Sequence, residues 1–109
     1  MATTYKVLGQ SNPSATTATT LYTCPAATQT VISTITICNQ AASSGSYRIA
    51  VRPNGATLAP EHYLVYDATI SANSVTAYTL GITIDASDVV TVYASASTMS
   101  FNAFGSEIA

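Results

Sequence analysis

The run TVISTITICNQ, residues 30 to 40, sets the tightest limit on how this chain can fold. Val31, Ile32, Ile35 and Ile37 are interleaved with Thr30, Thr34 and Thr36. Side chains that branch at Cβ crowd a helix and fit a pleated strand. Large residues occupy both parities: Val31, Ile35 and Ile37 on one side, Ile32 and Cys38 on the other. A strand open to water on one face keeps that face polar. The run therefore reads as an interior strand with Ile35 and Ile37 in the core. Its second face, with the compact Thr34 and Thr36, is expected to be partly covered by the N-terminal segment or by a neighbouring subunit.

The rest of the chain carries no helical apolar stripe. Short β-forming runs alternate with turn signals about every ten to fourteen residues, as in an all-β sandwich. In SYRIAVR, 46 to 52, Tyr47, Ile49 and Val51 share one face, and Arg48, Ala50 and Arg52 the other. PNG, 53 to 55, ends that strand with a fixed φ and residues tolerant of positive φ. HYLVYDATI, SVTAYTLGITI, VVTVYAS and TMSFNAFGSEI follow, the second with Leu80, Ile82 and Ile84 on one face. The expectation is a single antiparallel β-sandwich of about seven to eight strands, a jelly roll or an immunoglobulin-like Greek key, over residues 19–109. Residues 1–18 read as an extended N-terminal arm, because Tyr5, Val7 and Leu8 precede the low-complexity spacer QSNPSATTAT. Such an apolar arm would lie on a neighbouring molecule.

The chemistry-bearing residues are few. Three cations (Lys6, Arg48, Arg52) face five acids (Glu61, Asp67, Asp85, Asp88, Glu107), for a net charge of −2. Nucleic-acid binding requires clustered Lys and Arg, so no nucleic-acid partner is expected. No stretch approaches the roughly 20 apolar residues that cross a bilayer, and no signal-peptide pattern follows Met1. The expected site of synthesis is a cytoplasm, with no membrane partner. His62 is the only histidine and has no nucleophile signature beside it. Asp85 and Asp88 flank a tight turn, where side-chain bonds to the backbone explain them. Cys24 and Cys38 have no partner at metal-ligand spacing, so no metal, cofactor or catalytic residue is assigned and no enzyme is expected. With 25 to 29 as a turn, Cys24 falls opposite Thr30.

A surface poor in charge and rich in Tyr suits contact with other protein. The candidate assembly contacts are Tyr5, Val7 and Leu8 in the arm, with Thr34 and Thr36 on the second face of the opening run. Carbohydrate binding is the alternative, since it needs exposed aromatic platforms. Tyr63 and Tyr66 have opposite parity in one regular strand and would not face one ligand. Tyr78 and Tyr93 are left as the ligand-facing candidates.

Three stretches together carry a resemblance: YKVLGQSNPSATTATTLYTCP at the start, the run ending in Cys38-Asn39 followed by YRIAVRPNG, and GITIDASDVVTVYAS with SFNAFGSEI at the end. In combination they resemble small virion structural proteins of tailed bacteriophages, including cyanophages. The last two strands also look like the end of tumour-necrosis-factor-like jelly rolls, with Ser87 where those have Gly. The phage resemblance implies a non-enzymatic virion protein acting by assembly, as capsid decoration or cement or as another particle subunit. It implies other virion proteins of the capsid, neck or tail as partners, and a homo-oligomer, a trimer first. The alternative is a host-recognition or glycan-binding module on the neck, tail or fibre apparatus.

Overall fold

The computed structural model describes residues 2–109, and it is all-β. Nine strands run in order: β1 (Thr3–Ser11), β2 (Thr19–Thr23), β3 (Gln29–Asn39), β4 (Gly45–Arg52), β5 (Tyr63–Ile70), β6 (Val75–Tyr78), β7 (Ile82–Ile84), β8 (Val89–Ala94) and β9 (Met99–Ile108). Their antiparallel pairings are nested: β1 with β9, β2 with β8, β3 with β6 and β7, β4 with β5. The chain is thus one long hairpin whose tip is the β4–β5 connection. It folds over on itself, because β9 also pairs with β3 and β8 with β4. Two sheets result, β1-β9-β3-β6 with β7 also on β3, and β2-β8-β4-β5. This order is a jelly roll, which decides between the two topologies expected from sequence.

Between the sheets lie Ile32, Ile35, Ile37, Phe101 and Met99 from one side, and Tyr47, Ile49, Val90 and Val92 from the other. Tyr47 is 1% exposed, edge-on to Phe101 and to Tyr78, with centroids 6.4 and 6.2 Å apart. Its hydroxyl meets that of Tyr78 at 2.5 Å, so a polar tip inside the core has a partner. At one end, the buried Asn39 donates to the carbonyls of Ser43 and Ser71 and accepts from the Ala41 amide, joining two connections.

β3 is an interior strand, paired along both sides. Its faces differ from simple alternation, however. A bulge at Ser33 shifts the register against β9, so Ile32, Ile35 and Ile37 are all buried while Val31 turns outward with Thr34 and Thr36. Val31 therefore does not share a face with Ile35 and Ile37. The run SVTAYTLGITI is likewise not one strand. It breaks at 79 to 81, where Gly81 has φ +65, which leaves Leu80 58% exposed and off the face of Ile82 and Ile84.

The segment 1–18 also differs from an arm. Within it, Thr3–Ser11 is strand β1, hydrogen-bonded along β9 at one edge of the larger sheet, and Pro13 is buried. Met1 lies outside the described residues. Pairing with β9 along one side makes β1 an edge strand of the sandwich, so it covers no part of β3.

Candidate functional site

The register defines what the larger sheet shows to solvent. Its outer face carries Tyr5 and Val7 from β1, Phe104 and Asn102 from β9, Val31, Thr34 and Thr36 from β3, and Val75 and Ala77 from β6. Tyr5 is 84% exposed, and Val7, Val75 and Phe104 are also exposed. No charged side chain of the described residues stands on this face. Lys6 and Glu107 lie on the other side of the same sheet, paired at 3.2 Å. Four of the five candidate assembly contacts, Tyr5, Val7, Thr34 and Thr36, are thus brought onto one surface. Leu8 is not among them: it is the extra residue of the β1 bulge and packs half-buried against the core.

The sheet edges are poor places for another strand to add. β1 bulges at Leu8, β2 at Leu21, and β5 twice, while the β6–β7 edge is broken between its two short strands. Bulges and short strands interrupt the row of backbone groups that an incoming strand would use. Addition of a further strand at these edges is therefore disfavoured.

A second surface lies on the smaller sheet. The Arg48 guanidinium is stacked between the rings of Tyr66 and Tyr93, 4.2 Å from each centroid. Asp67 holds it through two bonds, 2.6 Å to Nε and 3.2 Å to Nη2. The carboxylate raises the Arg48 pKa, and the guanidinium holds the Asp67 carboxyl below its ordinary value. Tyr63 stands at 86° to Tyr66 with 4.9 Å between centroids. The two β5 bulges bring these rings together. One adds Leu64 and the other adds a residue at 66 to 67, where Asp67 takes φ 54, so both tyrosines turn outward. Regular alternation separates them, and only the pairing with β4 shows otherwise. Of the two tyrosines expected to face a ligand, Tyr93 belongs to this cluster. Tyr78 points between the sheets, bonded to Tyr47.

His62 and Asp88 accept hydrogen bonds from backbone amides. His62 sits at a loop-to-strand junction, where its Nδ1 accepts from the Ala59 amide at 3.0 Å. Asp88 accepts from the Asn54 and Asp85 amides and so builds the turn in which Ser87, at φ 71, is left-handed. Cys24 is buried against Thr30 at 3.2 Å, Cys38 is half-buried, and both are free thiols. Among the described residues, no group of three or more His, Cys, Asp or Glu is placed to hold a metal ion. No helix among the described residues is long and apolar enough to cross a membrane.

Comparison with family models, with curated proteins and with solved structures finds no match to this chain.

Proposed function

We propose that this protein is a non-enzymatic structural subunit that works by assembly, a virion component of the kind its sequence resembles. The observation that carries the reading is the uncharged outer face of the larger sheet. Four strand positions about 4.8 Å apart and strands of about ten residues give a face of roughly 600 Å². Two such faces bury about 1,200 Å², the lower bound for a specific protein–protein interface. Tyr5 at the rim, with Phe104 beside Thr34 and other small β-branched residues toward the centre, suits a dry contact. The proposed occupant is a further copy of this chain, with capsid, neck or tail proteins completing the assembly around it.

Light scattering of the purified full chain tests this. The wild type is expected to be an oligomer, and Thr34→Lys, placed centrally on the face, is expected to be monomeric while still melting cooperatively, at a temperature independent of concentration. A charge desolvated in an interface without a partner costs several kcal/mol, enough to weaken association at least a hundredfold. A wild type that is monomeric at about 100 μM, far above ordinary subunit affinities, counts against self-assembly. Quantitative mass spectrometry of purified particles then reads the copy number. Absence of the protein from particles refutes the virion assignment.

A further inference from the structure

We infer that the corner made by Tyr63 and Tyr66 beside Arg48 is a binding site for a neutral saccharide. Tyr66 is 59% exposed, although a ring of that size ordinarily buries itself. With Tyr63 at 86° to it, the two rings form two walls at a right angle. Leu58, Ala59 and Pro60 line the same depression. A sugar ring has an apolar C–H face, which stacks on one wall, and an edge of hydroxyls, which needs donors and acceptors in fixed positions.

The ion pair supplies both. Nε and Nη2 of Arg48 are used by Asp67, while Nη1 makes no hydrogen bond among the described residues. Stacking on Tyr66 and Tyr93 fixes the guanidinium plane, so a bond from Nη1 to a ligand would cost little further side-chain freedom. The Asp67 carboxylate keeps lone pairs toward solvent, its side chain being 44% exposed. One rigid donor and one rigid acceptor thus adjoin an aromatic corner, the mix of apolar wall and few placed polar groups that small-molecule sites show.

The same geometry selects among ligands. An anion finds Arg48 already neutralised by a bidentate partner. A cation finds one face of Tyr66 and one face of Tyr93 already taken by Arg48. A proline-rich peptide needs an aromatic-lined groove along its extended length. Two perpendicular rings instead close into a corner. A neutral polyol meets none of these obstacles. The corner belongs to the smaller sheet and the uncharged face to the larger one, so both can be occupied at once.

The test uses the full chain on an array of immobilised neutral and acidic oligosaccharides. Solution titrations of free monosaccharides, cellotriose, maltotriose, N-acetylchitotriose and a ten-residue polyproline peptide follow, read by tyrosine fluorescence and NMR shifts. Binding of at least one neutral saccharide is expected, weakened at least tenfold by Tyr66→Ala and by Arg48→Lys, and unchanged by Thr34→Lys. Signals from free monosaccharide place recognition on the single ring; signals only from immobilised or trimeric sugars place it on a polymer surface. Arg48→Lys keeps the charge and loses the fork, so it separates geometry from charge. The proposal is overturned by no neutral saccharide binding at 10 mM (a few kcal/mol of affinity), by binding of acidic sugars or polyproline alone, or by binding that survives Tyr66→Ala in a folded variant. Because Thr34→Lys reports on assembly alone, failure here leaves the assembly reading intact, and the reverse.

Discussion

Replacing Tyr22 with Phe removes one oxygen from the contact between the two sheets. Tyr22 belongs to β2 of the smaller sheet, and its hydroxyl reaches the Glu107 carboxylate on β9 and the Thr30 hydroxyl on β3, the latter at 2.8 Å. Glu107 in turn pairs with Lys6 of β1 at 3.2 Å. A hydrogen bond to a charged acceptor contributes about 1.5–3 kcal/mol, so Tyr22→Phe is expected to cost about 2 kcal/mol at pH 7. Unfolding entropy of about 2.1 cal/mol/K per residue converts this to a fall in Tm of about 9 °C for a chain of this length.

The pH dependence makes the test sharper. The Tyr22 hydroxyl, and after it Lys6, hold the Glu107 carboxyl below its ordinary value. A depressed folded-state pKa contributes stability that is present above the unfolded pKa, about 4.3, and lost as pH falls through the folded value. The gap between wild type and Tyr22→Phe is therefore full at pH 7 and narrows below about pH 4. At the alkaline end the sign reverses. Burial first, and Glu107 second, raise the Tyr22 pKa, so the stability it contributes is present below about pH 10 and is lost above it in the wild type alone. Urea and thermal unfolding, followed by far-ultraviolet circular dichroism at pH 7, 3 and 11, measure all three. A gap that stays constant from pH 7 to 3, or a Tm change below about 3 °C at pH 7, refutes the argument.

Two further substitutions test the packing. A Cβ at Gly105 would stand 2.0 Å from the Val31 carbonyl oxygen and 3.0 Å from the Ile32 Cα, both backbone atoms at the β3 bulge. Gly105→Ala is expected to lose at least about 2 kcal/mol in chemical denaturation, and a loss below about 0.5 kcal/mol would show that the strands part easily there. Asn39→Ala leaves the Ser43 and Ser71 carbonyls without their donor and is expected to cost about 2–3 kcal/mol. Hydrogen exchange should also show faster opening of 40–44 and 71–74 than of β4, and uniform exchange would count against Asn39 as their tie.

Much of the fold is legible in the chain because its turn chemistry is local. Asn54 and Gly55 take positive φ after Pro53, as PNG implies, and DASD closes through Asp88 on the Asp85 amide. The Cys24–Thr30 approach follows from the short turn between them. The candidate contacts were legible only in part. Thr34 and Thr36 stand out through the polarity of one face, and Tyr5 and Val7 as apolar residues ahead of a low-complexity spacer. That all four share a surface depends on β1 pairing with β9, which no local signal announces. The Tyr63–Tyr66 corner was missed because alternation assigns the rings to opposite faces. The available hint was Asp67, an amino acid that tolerates left-handed backbone in the middle of a strand-like run.

By itself, then, the sequence determines an all-β chain, its turns, its dearth of charge and the identity of its interior strand, since these follow from branching at Cβ, from fixed or positive φ, and from residue type. Tertiary structure decides the nested hairpin order and which side each residue faces after Leu8, Ser33, Leu64 and Asp67. A bulge is a mismatch in length between two paired strands, and each strand sees that mismatch only when the partner is in place. The same mismatches give the larger sheet its uncharged face and the smaller sheet its aromatic corner.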